Sequence, residues 1–235
     1  MTTTLVTGAN KGLGFEAARR LIAAGHIVYL GSRDAERGRR AADELGALLL
    51  PLDVTDDASV AAAAKTVEEG GGLDVLVNNA GIEARGAGNT VPPPAELTAD
   101  AMRHLFETNV FGVVRVTHAF LPLLRRSAAP VIVNVSSGLG SLAQASDRGV
   151  PAYHYPGVEY PASKAALNMV TVQYAKAFPA IRVNAADPGF TNTDLNGRTG
   201  TQTVEEGAEI IVRLAQLGPD GPTGGYFSAA GPVPW

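Results

Sequence analysis

Seven short apolar runs recur along the chain, at residues 4–7, 27–30, 48–52, 75–77, 131–135, 181–184 and 226–227. Within them apolar residues do not alternate with polar ones, a pattern that suits strands buried on both faces. Between the runs, apolar positions return at helical spacing. Leu13, Ala17, Leu21 and Ile22 share one face, and Gly25 is placed to end that helix. Residues 35–45, 58–68, 101–124, 162–178 and 204–217 also read as helices. Continuous alternation of strand and helix predicts one α/β domain over residues 1–235: a doubly wound, parallel, seven-stranded sheet flanked by helices. No internal repeat or linker interrupts the series.

Three stretches break the pattern. Residues 81–94 are rich in Gly and Pro, 138–159 form a long connection, and 189–203 are polar with little apolar content. All three follow an expected strand and so gather at the carboxyl edge of the sheet, where ligands bind in open α/β folds.

Composition narrows the classes. Of 235 residues, 46% are hydrophobic and 18% charged, as in an ordinary globular protein. A net charge of −4 offers no basic field, so nucleic acid and membrane are not expected partners. The absence of cysteine removes thiolate ligands, disulfides and cysteine nucleophiles. The four histidines show no metal-ligand spacing. No apolar run is long enough for a signal or a membrane span, and a cytoplasmic location is expected.

The opening T-G-A-N-K-G-L-G lies between the first strand and the first helix. Gly8 permits a tight turn, and Gly12 and Gly14 let the backbone approach a pyrophosphate resting at the helix N-terminus. The spacing is neither that of long-chain dehydrogenases nor that of a P-loop. At the tip of the second strand, Ser32 stands where an acid would select NAD, and Arg33 follows. Lys11, Arg33 and Arg37 are placed to converge on a 2′-phosphate, which favours NADP(H) over NAD(H). The same basic tip disfavours a methyltransferase.

Three tyrosines fall between Tyr153 and Tyr160, and of these only Tyr160 has a lysine, Lys164, one helical turn later. A neighbouring ammonium lowers a phenol's pKa and suits it to proton transfer. Tyr155 has Glu159 at that offset instead. The fifth strand ends in Ser136 and Ser137, whose hydroxyls are candidates for bonding a substrate carbonyl.

Together these segments resemble the short-chain dehydrogenase/reductase family over essentially the whole chain. T-G-A-N-K-G-L-G, N-N-A-G at Asn78 to Gly81, Asn109, V-N-V-S-S, Y-P-A-S-K and D-P-G-F-T-N-T-D follow in the family's order. The resemblance implies a Rossmann fold and a tetrad of Asn109, Ser137, Tyr160 and Lys164. Tyr160 would be general acid or base, Lys164 would lower its pKa and hold the nicotinamide ribose, Ser137 would polarise the substrate oxygen, and Asn109 would hold a relay water. It also implies cofactor contacts from Gly8, Asn10, Gly12, Leu13, Gly14, Asp53, Val54, Asn78, Ala80, Gly81, Pro188, Gly189, Thr191 and Thr193. The implied activity is NADP(H)-dependent interconversion of a small-molecule carbonyl and its alcohol; an NADP(H)-binding sensor without turnover is the alternative.

In common members the serine lies thirteen residues before the tyrosine. Here Ser137 and Tyr160 are twenty-three apart, with Tyr153, His154 and Tyr155 in the surplus. Carbonyl-reductase-like members also carry extra sequence here, and N-K-G in the first motif points the same way. The departure leaves Ser136 open as an alternative to Ser137, and monomer and homo-oligomer both open.

Overall fold

The computed structural model describes residues 1–235, the side chain of Ala87 excepted. Each apolar run becomes a strand whose successive residues face opposite sides of the sheet, and both sides are covered. In β1 (Thr3–Val6), Val6 joins a cluster with Ala17, Leu21, Ile210 and Leu214, while Leu5 joins the opposite one with Val60, Val116 and Phe120. The same split separates Val75 and Val77 from Leu76 in β4 (Val75–Asn78), and Val131, Val133 and Val135 from Ile132 in β5 (Val131–Val135). This is why the runs lack alternation: neither face meets water.

The sheet runs β3-β2-β1-β4-β5-β6-β7-β8, with β2 (Ile27–Ser32), β3 (Leu48–Pro51), β6 (Arg182–Asp187) and β7 (Tyr226–Ser228) parallel to the rest. The order reverses between β1 and β4, which opens a crevice at their carboxyl ends. An eighth strand, β8 (Gly231–Pro232), pairs antiparallel with β7, so the expected seven-stranded sheet is corrected to eight. Two residues, one of them proline, carry no strand pattern, and an edge position is where proline is tolerated.

One cluster packs under α1 (Gly12–Ala23), α2 (Ala35–Leu45) and α8 (Val204–Ala215); the other packs under α3 (Asp57–Glu69), α5 (Gly112–Leu124) and α7 (Glu159–Ala177). The helix expected over 101–124 is divided into α4 (Ala99–Phe106), a π-helical turn (Glu107–Phe111) and α5. Widened turns of this kind re-aim a side chain, and here the residue is Asn109. Helix α7 starts at Glu159, three residues before expectation, because Pro161 falls in the first turn, where its missing N–H costs nothing. The expected loops carry local structure: 3₁₀ turns at Ala87–Asn89, Pro94–Glu96, Gly138–Gly140, Pro151–His154 and Asp194–Asn196, and a short α6 (Leu142–Ser146). The C-terminal tail packs back: Trp235 stacks on Tyr226, and its carbonyl accepts from the Ala143 amide at 3.0 Å. No described helix is long and apolar enough to cross a membrane.

Candidate active site

A cleft of about 650 Å³ opens at the carboxyl ends of β1, β4, β5 and β6. Its floor is the glycine-rich turn. Gly8 has φ +63°, and a Cβ there would sit 2.9 Å from the Ala80 Cα; one at Gly14 would sit 2.9 Å from the Gly8 carbonyl. Thr7 locks the turn to the segment after β4, its hydroxyl accepting from the Asn79 and Ala80 amides at 3.0 and 2.9 Å. Helices α2, α3, α4 and α8 are capped by the side chains of Asp34, Asp56, Thr98 and Thr203, whereas Lys11 at the start of α1 makes no such cap. The first amides of α1 therefore face the cleft without a side-chain acceptor, a ready place for an anion.

Gly8, Asn10, Lys11, Gly12, Leu13, Gly14, Arg33, Arg37, Asp53, Val54, Ala80, Gly81, Tyr160, Lys164, Pro188 and Thr193 all line this cleft. The three basic residues at its far end are not equivalent. Arg37 pairs with Asp34 at 2.6 Å and Lys11 with Asp194 at 2.9 Å, while Arg33 is exposed at the tip of β2. Both pairs are largely open to water and so exchange at little cost. At Asp53, burial raises the carboxyl pKa, but hydrogen bonds from the Thr55 amide and hydroxyl outweigh it and leave the net shift downward.

Three expected cofactor contacts lie elsewhere. Asn78 turns away, donating to Asn134 Oδ1 at 2.9 Å and Thr117 Oγ1 at 3.2 Å; its neighbour Asn79 lines the cleft instead. Thr191 is buried, its hydroxyl donating to the Pro188 carbonyl at 3.1 Å, and Gly189 donates its amide to Asp187 at 3.0 Å; neither reaches the cleft wall.

Of the expected tetrad, Tyr160 and Lys164 line the cleft, while Ser137 and Asn109 lie behind its wall, Ser137 beside Tyr160 and Asn109 beside Gly81 and Ile82. The Lys164 Nζ donates to the Val135 carbonyl at 2.8 Å and lies 5.6 Å from the centre of the Tyr160 ring. Burial pushes its ammonium down to about 8. The Tyr160 phenol is pushed up, not down: burial is the largest cause, the Glu83 carboxylate adds to it, and a hydrogen bond with the Ser137 hydroxyl opposes it. The expectation that Lys164 lowers this pKa is thereby corrected: desolvation is the largest cause and raises it, and the neighbours that lower it are Ser137 and Arg85. Ser136 lines the cleft, yet its hydroxyl donates to Asn168 Oδ1 at 2.6 Å, whereas the Ser137 hydroxyl reaches Tyr160. Asn109 is fully buried. It clasps the Ile82 backbone, accepting from the amide and donating to the carbonyl, both at 2.9 Å, and donates to Ser163 Oγ at 3.0 Å.

Glu83 and Arg85 also line the cleft, close enough to Tyr160 to act on its phenol. They pair at 2.7 Å, and Tyr155 donates its hydroxyl to Glu83 at 2.6 Å. Burial pushes the Tyr155 phenol up and Glu83 reinforces it, not Glu159. The surplus segment thus folds against the cleft. No pattern in the sequence marks Glu83, a lone acid in a Gly-rich stretch.

The chain matches the family model of short chain dehydrogenases over residues 2–204. It is 40% identical to a short-chain dehydrogenase of Penicillium roqueforti, covering 91% of this chain and 88% of that one. It is 36% identical to (+)-neomenthol dehydrogenase of Arabidopsis thaliana, covering 95% of each. That match runs over 284 residues, more than this chain has, so the plant protein carries segments absent here. Among solved structures, NADPH-bound carbonyl reductase from chicken liver superposes with a TM-score of 0.86 at 28% identity, covering 100% of this chain and 99% of that one.

Proposed function

We propose, from the premise that this chain belongs to the short-chain dehydrogenase/reductase family, that it is a single-domain NADP(H)-dependent oxidoreductase reducing a ketone or aldehyde to an alcohol, or running the reverse. The observation that carries this reading is that Tyr160, with Ser137 beside it, and Lys164 line the same cleft as the uncapped start of α1. The residues present fit a dinucleotide. A side chain at Gly8 or Gly14 would collide with backbone, the amides of α1 are free for a pyrophosphate, and Arg33, joined by Lys11 and Arg37, offers donors to a 2′-phosphate. The names of the relatives, a neomenthol dehydrogenase and an NADPH-bound carbonyl reductase, agree.

The cofactor, when bound, supplies or accepts the hydride. The protein's residues manage the proton. Tyr160, protonated and buried, is the general acid that delivers a proton to the carbonyl oxygen during reduction, and the base in the reverse direction. Ser137, bonded to the phenol, holds that oxygen and polarises it. Lys164, titrating near neutrality at about 8, returns the proton to Tyr160. Asn109 fixes the Ile82 backbone beside them and so keeps the cleft wall in place. Oxidation of NADPH and of NADH against a panel of carbonyl compounds tests the reading, with NADPH preferred. Tight NADPH binding with no carbonyl reduced would instead favour a cofactor-binding protein without turnover.

A further inference from the structure

Glu83 follows Ile82, the residue that Asn109 clasps, and stands on the cleft wall beside Tyr160. Its side chain is only 4% exposed. Oε1 accepts from both Tyr155, at 2.6 Å, and Arg85, at 2.7 Å. Among the described residues nothing donates to Oε2, yet that oxygen is not one of the sealed, unpartnered atoms. It therefore keeps an opening, and Glu83 is one of the residues that line the cleft. A carboxylate withdrawn from water with a vacant oxygen is unfavourable. The charge also falls on its neighbour, adding to the rise in the Tyr160 phenol. The cofactor's phosphates do not call for it, since a carboxylate repels them, and Glu83 stands beside Tyr160, where the substrate carbonyl must lie.

We infer that Glu83 selects the substrate: Oε2 accepts a hydrogen bond from a hydroxyl or ammonium close to the reacting carbonyl. Preferred substrates are thus neutral or cationic carbonyl compounds bearing such a donor, and keto acids are rejected. Tyr155 and Arg85 are positioning residues that hold Oε1 so that Oε2 meets the cleft. This places Tyr155 of the surplus segment behind Glu83, outside the cleft lining itself. The inference rests on the carbonyl-reductase reading of the same site.

The test compares three ketones on one phenyl skeleton: α-hydroxyacetophenone with a donor, propiophenone without one, and benzoylacetate with a negative charge. Binding to the protein–NADPH complex is read by thermal shift, and turnover by NADPH oxidation. The wild-type order is hydroxyl above methyl above carboxylate, each step about tenfold in affinity and in kcat/KM, as for hydrogen bonds to charged groups. In Glu83→Gln the carboxylate member gains about tenfold relative to the methyl member, and the hydroxyl advantage shrinks. Equal binding of the three by the wild-type protein, or preference for benzoylacetate, overturns the inference whether or not the variant folds. Unchanged ratios in a folded variant overturn it too. The expected binding order without turnover of any member counts against the carbonyl-reductase reading while supporting the role of Glu83.

Discussion

Lys164 is buried with one hydrogen bond, to the Val135 carbonyl, and its pKa falls from an ordinary 10.5 to about 8. The unfolded chain therefore holds that proton more tightly than the folded one. The folded state carries the full cost below pH 8, loses it progressively between pH 8 and 10.5, and carries none above. A shift of this size corresponds to about 3 kcal/mol. Replacing Lys164 with Met keeps the length and removes the charge, at a pH-independent cost of about 1–3 kcal/mol for the stranded carbonyl. The two contributions separate by pH. Between pH 7 and pH 10 the wild-type protein gains about 2.5 kcal/mol relative to Lys164→Met. Urea denaturation of both proteins at both pH values, without cofactor, measures this difference by linear extrapolation. A gap that does not change with pH would refute the buried-ammonium reasoning, and a gap that moves the other way would refute its sign.

Three other outcomes are expected. If Arg33 holds the 2′-phosphate as proposed, Arg33→Ala weakens NADPH binding by about tenfold or more and leaves NADH binding little changed, through loss of a charge-assisted contact; fluorescence titration of both cofactors reads it. Asn109→Leu strands both the amide and the carbonyl of Ile82 and lowers stability by about 2–4 kcal/mol, with hydrogen exchange at residues 81–94 rising more than in the core. The ketone series on Glu83→Gln loses the bias against carboxylates, binding of the carboxylate and methyl members becoming about equal.

The sheet and the helices were legible because two-sided burial writes itself as unbroken apolar runs and one-sided burial as helical spacing. The glycine-rich turn was legible because Gly8 and Gly14 are forced by backbone proximity, which leaves no substitute residue. Pairings across the chain were not. Lys11 meets Asp194 from 183 residues away, and Tyr155 meets Glu83 from 72, distances over which no local pattern operates. The phenol of Tyr160 misled for the same reason. Spacing pointed to Lys164 alone, whereas burial and Glu83, both products of tertiary folding, set the direction of its shift. Eight strands replaced seven because β8 is two residues held by the packing of the tail, not by its own composition.

The central claim is that Tyr160 transfers the proton in a carbonyl reduction. Tyr160→Phe keeps the ring and removes only the hydroxyl. NADPH titration and NADPH-dependent turnover, measured on the same preparation, decide it. The account predicts NADPH affinity close to that of the wild-type protein and a fall in kcat of about a thousandfold. Turnover within a few fold of wild type, with NADPH bound, would contradict it.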